Sequence, residues 1–154
     1  MKSEVEFNER LQITRVFGAP RAEVFEWWSE AEKLQQWSGC KEATRCEVVM
    51  DFRVGGSLTQ KMQIATARGT CEFSFNATYE EIVVPERIVY RADLGRAITR
   101  VIVEFFDQGG QTRLVLTQDG FADLETCKIV SQGTLESLEK LDSILAGQAK
   151  VNRL

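Results

Sequence analysis

The chain has 154 residues and a net charge of −4, with 44% hydrophobic and 27% charged residues, a composition typical of globular domains. It contains no histidine, which excludes a Ser-His-Asp triad, a Cys-His pair and a HExxH zinc site. The basic residues do not cluster, which argues against nucleic-acid binding, and no apolar run reaches the roughly 20 residues of a membrane span. We expect one cytoplasmic domain over 1–154, without a metal or cofactor.

The four cysteines, Cys40, Cys46, Cys71 and Cys127, include no C-x-x-C pair, so a redox motif or a zinc knuckle has little support. Three of them lie within apolar patterns, and free cysteine is among the most buried residue types. We expect free thiols. A reactive Cys40, in the loop that follows Trp37, is the alternative.

The first part of the chain predicts one strand and two short helices. Residues 10–17 are rich in β-branched and aromatic residues, which favour strands. Pro20 suits the first position of a helix, and apolar residues at helical spacing predict a helix over 20–28. Ser29-x-x-Glu32 has the form of a capping box, which predicts a second helix that ends near Trp37.

From residue 43 the hydrophobic period changes to two, which is typical of strands with one buried face. The predicted strands cover 43–50, 57–64, 71–81, 87–93, 98–106 and 112–118. The alternation is clearest over 71–81, where Cys71, Phe73, Phe75, Ala77 and Tyr79 share one face. Because tight turns join these strands, they are expected to form an antiparallel meander.

After Gly120 the period returns to 3.6. Asp123 is expected to be the N-cap and Gly147 the C-terminal stop, so the pattern predicts a helix over 123–147 that is about 37 Å long. Its apolar stripe consists of Cys127, Val130, Thr134, Leu138, Leu141 and Leu145.

A sheet with one apolar face needs a cover, and the last helix is the only predicted element large enough. We therefore expect an α+β fold in which a curved antiparallel sheet wraps around the long C-terminal helix. Such a sheet is expected to leave a cavity beneath the helix, with residues 20–37 at its mouth. A fully packed core is the alternative.

The element order and several local motifs resemble the START-like helix-grip superfamily, and more closely its branch named after the activator of Hsp90 ATPase. The motifs are Thr14-Arg15-Val16-Phe17-x-Ala19-Pro20, Val24-Phe25-x-x-Trp28, Glu32-Lys33-Leu34-x-x-Trp37, Asp51-Phe52-Arg53-x-Gly55-Gly56, Pro85-Glu86-Arg87-Ile88-Val89-Tyr90, Gly109-Gly110-x-Thr112-Arg113-Leu114 and Gly120-Phe121. They follow one another in order over 10–147. The resemblance implies a helix-grip fold with a deep ligand cavity.

The chain departs from the pattern of this branch at two places. Relatives usually carry a second tryptophan and a Gly-Pro after the position of Trp37, where this chain has Ser38-Gly39-Cys40. Relatives often carry Gly-Trp in the last helix, where this chain has Gly133-Thr134. Both changes remove bulk near the expected cavity entrance.

The candidate ligand-binding residues lie on the inner faces of the predicted elements. They are Trp28, Trp37, Gln60, Met62, Phe73, Phe75, Tyr79, Tyr90, Val103, Phe105, Val130, Thr134 and Leu138. The aromatic members fit either a pocket for an apolar or aromatic ligand or plain core packing. Gln60 interrupts an apolar face, so it either hydrogen-bonds a ligand or water or lies at a solvated strand end.

We expect a non-enzymatic protein that binds a small hydrophobic or aromatic molecule between its last helix and its sheet. The resemblance also implies two alternatives: a co-chaperone module that contacts an Hsp90-type ATPase, and a cyclase- or hydrolase-like enzyme that uses the same cavity. No residue is assigned a catalytic role, and Arg15, Asp51 and Arg53 are expected to be structural. A homodimer through exposed strand edges stays open.

Overall fold

The computed structural model describes residues 4–7, 10–39 and 43–152. Within these ranges the strands are β1 (Glu4–Phe7), β2 (Leu11–Phe17), β3 (Ala43–Met50), β4 (Ser57–Thr66), β5 (Gly69–Val83), β6 (Arg87–Asp93), β7 (Ile98–Gln108) and β8 (Gln111–Asp119), and the helices are α1 (Arg21–Ser29), α2 (Ala31–Trp37) and α3 (Leu124–Asn152). The strands form one antiparallel sheet in the order β1-β2-β8-β7-β6-β5-β4-β3. The predicted meander and helix-grip fold are confirmed.

Strand β1 is not among the predicted elements. It pairs antiparallel with β2, with Glu4 opposite Thr14 and Phe7 opposite Leu11. In residues 4–7 two glutamates alternate with two apolar residues, but four residues are too few for alternation to identify a strand. Backbone pairing with an existing edge strand is therefore what defines this strand.

The predicted capping box at Ser29 is wrong. Ser29 belongs to the last turn of α1, where its hydroxyl donates to the carbonyl of Glu26 at 3.3 Å. The N-cap of α2 is Glu30, which makes no side-chain capping bond. The hydroxyl of Ser29 is used inside the preceding helix, so it does not cap the next one.

The start of α3 agrees with prediction and its end does not. Asp123 Oδ1 accepts the backbone N–H of Thr126 at 2.7 Å, and this bond lowers the pKa of the Asp123 carboxyl. Gly147 does not stop the helix, which continues to Asn152. An exposed helical glycine costs only about 1 kcal/mol relative to alanine, and the surrounding Ala146 and Gln148 are good helix formers.

The core lies between the inner face of the sheet and the helices. The C-terminal half of α3 packs closely there, with Leu138 and Leu141 fully buried and Leu145 nearly so. Arg15 of β2 reaches α3 and pairs with Asp142 at 3.1 Å. No helix among the described residues is both long enough and apolar enough to cross a membrane.

Candidate ligand-binding cavity

A cavity of about 340 Å³ lies between the inner face of the sheet and the N-terminal half of α3. Its volume is at the lower end of the range typical of small-molecule sites. Two of its lining residues are substantially exposed, Phe73 at 42% on β5 and Ile129 at 66% on α3. The cavity therefore opens to solvent between the start of β5 and the first turns of α3.

The cavity exists because the two halves of α3 meet the sheet differently. The C-terminal half carries large leucines that reach the core, whereas Gly133 and Thr134 line the cavity with little bulk. Ser38 and Gly39, which follow α2, also line it. Both segments that the sequence analysis expected near the cavity entrance therefore contribute small residues to the cavity lining, and Cys40 lies outside the described residues.

Most of the predicted site residues meet around this cavity. Those that line it are Trp28, Trp37, Gln60, Met62, Phe73, Phe75, Tyr79, Tyr90, Val130 and Thr134. They come from α1, α2, β4, β5, β6 and α3, so the site depends on the whole fold. Gln60 of β4 pairs with Phe75 of β5, and Met62 pairs with Phe73. Because alternate residues of a strand point to the same face, these four side chains lie on the inner face of the sheet.

Three predicted residues, Val103, Phe105 and Leu138, lie in the packed core rather than at the cavity. The Phe105 ring packs edge to face against Phe25, with 5.1 Å between ring centroids, which fills the space beneath α1. Leu138 belongs to the half of α3 that packs closely on the sheet. Alternation correctly placed these side chains on the inner face of the sheet. It could not show whether an inward side chain packs in the core or lines the cavity.

The prediction that residues 20–37 lie at the cavity mouth is wrong. Trp28, Leu34 and Trp37 line the cavity but are all less than 10% exposed, so they form a buried wall. The Trp28 and Trp37 rings meet edge to face at 4.7 Å, and Trp37 Nε1 donates to the Trp27 carbonyl at 2.9 Å. This bond fixes α2 against α1.

Gln60 is only 6% exposed and lines the cavity, which excludes the alternative of a solvated strand end. Its Nε2 lies 3.7 Å from Cys46 Sγ, a weak acceptor. Cys46 Sγ is also 3.3 Å from Ser38 Oγ. Within the described ranges, Gln60 Oε1 has no hydrogen-bond donor.

Gln118 is a lining residue that the sequence analysis missed. It is 6% exposed, and its Nε2 donates to Thr99 Oγ1 at 2.9 Å. The available signal was alternation along β8, since Gln118 follows Leu114 and Leu116 at the same spacing. A polar residue at the end of an apolar series is easily taken as the end of the strand.

The polar groups of the cavity are suited to hydrogen bonding rather than to proton transfer. Burial raises the pKa of the Tyr79 and Tyr90 phenols well above the ordinary value, so both keep their protons near neutral pH. The amides of Gln60 and Gln118 do not titrate. No three His, Cys, Asp or Glu side chains in the described part of the chain come together to hold a metal ion.

The three cysteines among the described residues do not line the cavity and form no disulfide. Cys46, Cys71 and Cys127 are free thiols, as predicted, and Cys127 is fully buried, which raises its pKa. Cys71 is exposed near the start of β5, although its pattern predicted burial. The alternative of a reactive Cys40 falls outside the described residues.

The sequence of this chain matches the model of one protein family. The family model described as activator of Hsp90 ATPase homolog 1-like protein matches residues 18–146. A search of curated proteins finds no match. The resemblance inferred from the collinear motifs is confirmed by the family match.

Solved bacterial structures share the fold. A protein from Rhizobium leguminosarum is 30% identical, with a TM-score of 0.70 over 95% of this chain and 99% of that one. A protein from Chromobacterium violaceum is 24% identical, with a TM-score of 0.79 over 88% and 96% of the two chains. A protein from Arthrobacter aurescens is 17% identical, with a TM-score of 0.80 over 94% and 91%. The last two likenesses concern the fold alone.

Proposed function

The chain belongs to the family of activator of Hsp90 ATPase homolog 1-like proteins, and within that family we propose that it binds a small, largely apolar molecule without transforming it. The observation that carries this proposal is the cavity of about 340 Å³, lined mainly by apolar and aromatic side chains and open at one end. Filling such a space with an apolar molecule removes hydrophobic surface from water, which favours binding.

The buried aromatic wall supports a pre-formed site. Trp28 packs on both Trp37 and Phe105, and Tyr79 packs on both Phe52 and Tyr90, each pair in edge-to-face geometry. Such contacts hold the lining rings in place before a ligand arrives. A site that needs little reorganisation loses little affinity to ordering.

A thermal-shift screen with neutral aromatic and aliphatic compounds tests the proposal, because a ligand that binds only the folded state raises its stability. We expect several compounds of about 10 to 20 non-hydrogen atoms to raise the melting temperature. Calorimetric titration of the strongest compound then gives its dissociation constant. A screen in which no compound stabilises the protein would contradict the proposal.

A matched pair of variants on α3 locates the binding. Thr134→Phe places a ring where Thr134 lines the cavity, so it is expected to weaken binding at least tenfold while the fold is retained. Gln132→Phe adds the same ring on the exposed side of the helix and is expected to leave binding unchanged. Equal effects of the two substitutions would mean that the compounds bind elsewhere.

The family description favours a second candidate, contact with an Hsp90-type ATPase. A pull-down with the Hsp90 homologue of the same organism, together with an ATPase assay, separates the two functions. Contact through the outer surface would survive Thr134→Phe, whereas ligand binding would not. Absence of binding at micromolar concentration would remove this candidate.

A further inference from the structure

Three polar side chains form one row across the floor of the cavity. Tyr79 pairs with Tyr90, Tyr90 with Val101, and Val101 with Gln118 in the sheet register. Directly paired residues of antiparallel strands point to the same face. Since neighbouring strands are about 4.8 Å apart, the row spans about 14 Å from Tyr79 to Gln118. A molecule in the cavity therefore meets this row.

The hydrogen bonds around Gln118 determine which end of its amide is available. Thr99 Oγ1 donates its single proton to the carbonyl of Ala92 at 3.3 Å, so it can only accept from Gln118. The amide must then direct Nε2 towards Thr99, which leaves Oε1 as an unused acceptor. No described residue donates to this oxygen. The row therefore offers an acceptor at one end.

The other end of the row offers donors. The hydroxyls of Tyr79 and Tyr90 make no hydrogen bond to any described residue, and both residues line the cavity. Burial raises the pKa of both phenols, so each keeps a proton to donate. Neither hydroxyl oxygen is among the side-chain atoms that are sealed from solvent without a partner, so both can be reached from the cavity and are available to a ligand.

The cavity offers no compensating charge. Among the described residues that line it there is no Asp, Glu, Lys or Arg. The Lys140 ammonium lies nearby but does not line the cavity, and it donates to the Gly39 carbonyl at 3.1 Å. Because an unpaired charge is very costly to bury, an ionised ligand group would be disfavoured inside.

We infer that the ligand is an uncharged, largely apolar molecule with a hydroxyl group that hydrogen-bonds to the hydroxyls of Tyr79 and Tyr90, whose ring centroids are 6.1 Å apart. Gln118 Oε1, at the far end of the row, then stays available to a second donor on a longer ligand. This inference rests on the proposed function and specifies the ligand class. A hydroxyl group fits because it both donates and accepts, as each tyrosine hydroxyl does. The apolar remainder packs towards Phe73 and Ile129 at the opening.

Three probes on one skeleton test the inference: 2-methylnaphthalene, 2-naphthalenemethanol and 2-naphthoate. They differ only in a methyl, a hydroxymethyl and a carboxylate group. At pH 7 we expect the alcohol to bind about tenfold more tightly than the hydrocarbon, and the carboxylate at least tenfold more weakly than the alcohol. Calorimetric titration gives the three dissociation constants.

The variant Tyr79→Phe/Tyr90→Phe provides the control within the site. It removes both donors and keeps both rings, and we expect it to weaken binding of the alcohol at least threefold while the hydrocarbon changes less than twofold. Since neither hydroxyl has a protein partner among the described residues, the melting temperature of the free protein should not fall.

The possible results distinguish the inferred ligand class from the proposed function of binding an apolar molecule. A carboxylate that binds as well as the alcohol, or an alcohol no better than the hydrocarbon, overturns the inference and leaves apolar binding intact. Equal losses for alcohol and hydrocarbon in the double variant also overturn it. Failure of all three probes to bind overturns it together with the proposed function.

Discussion

Two tryptophans of the cavity wall, Trp28 and Trp37, differ in what their indole N–H groups contact. Trp37 Nε1 donates to the carbonyl of Trp27 in the last turn of α1, where carbonyls lack a helical partner. Trp28 Nε1 is sealed inside the protein and has no hydrogen-bond partner. A buried donor without a partner costs roughly 1–3 kcal/mol.

Replacement of each tryptophan by phenylalanine should therefore have unequal effects on stability. Trp37→Phe loses a hydrogen bond and leaves a carbonyl without its partner, whereas Trp28→Phe removes a costly donor. Both changes replace an indole by the same smaller phenyl ring and differ in the hydrogen bond that is lost, so we expect Trp37→Phe to be more destabilising by about 1 kcal/mol or more. Urea unfolding of both variants measures this difference. The reverse order would contradict the argument.

The two tyrosines predict how binding depends on pH. Burial disfavours the phenolate, which raises the pKa of Tyr79 and Tyr90 above the ordinary value of about 10. Both groups therefore stay protonated below their ordinary pKa, and the described lining contains no other titratable side chain. We expect the dissociation constant of 2-naphthalenemethanol to be constant from pH 6 to pH 9. A tenfold change in that range would reveal an ionising group at the site.

At the scale of elements, the turn between β3 and β4 explains part of the motif Asp51-Phe52-Arg53-x-Gly55-Gly56. Arg53 Nε lies 2.7 Å from Asp51 Oδ2, which is the structural role expected of this pair. A Cβ on Gly56 would lie 2.1 Å from the Asp51 carbonyl oxygen. The turn passes so close to its own backbone that no side chain fits at Gly56.

Gly56→Ala is therefore expected to destabilise the protein by roughly 3 kcal/mol. Gly18→Ala is the matched control, since a Cβ there meets nothing within 4 Å, and it should change stability by less than about 0.5 kcal/mol. Thermal unfolding of the two variants provides the comparison. Similar melting temperatures would show that the turn can move to accept a side chain.

Element boundaries show what the sequence could and could not predict. Alternation located β3 to β8 because the apolar residues of each strand recur on one face, and the Asp123 cap marked the start of α3. The signals at Ser29 and Gly147 misled because each is weak and local: the Ser29 hydroxyl bonds within α1, and one exposed glycine cannot end a helix. Strand β1 alternates polar and apolar residues over only four positions, too few to identify a strand, and it pairs with β2.

The site was harder to predict than the fold for a related reason. Alternation identifies the inward face, which is why Tyr79, Tyr90 and Phe75 were found. Whether an inward side chain meets packed protein or empty space depends on how closely α3 approaches the sheet. That distance is set by residues far apart in sequence, and so Phe105 and Leu138 could not be distinguished from true lining residues.

Across the whole molecule, α3 extends from the packed core, where its C-terminal half lies, to the cavity, which its N-terminal half lines. Its C-terminal half is held by buried leucines and by the Arg15–Asp142 ion pair. At the junction, Ser137 Oγ and Lys140 Nζ both lie close to the Gly39 carbonyl, at 2.8 and 3.1 Å. Beyond this junction the N-terminal half borders the cavity and its opening. The helix is thus anchored at one end.

This asymmetry predicts the pattern of amide hydrogen exchange along α3. Fewer buried contacts mean easier local opening, so we expect residues 126–136 to exchange faster than residues 138–145 in the free protein. A ligand in the cavity contacts only the N-terminal half, and at 100 times its dissociation constant it stabilises the bound state by about 2.7 kcal/mol. Exchange should therefore slow over 126–136 far more than over 138–145. Uniform exchange along the free helix, or equal slowing of both halves by the ligand, would mean that α3 moves as one unit and that the hollow region has no separate mobility.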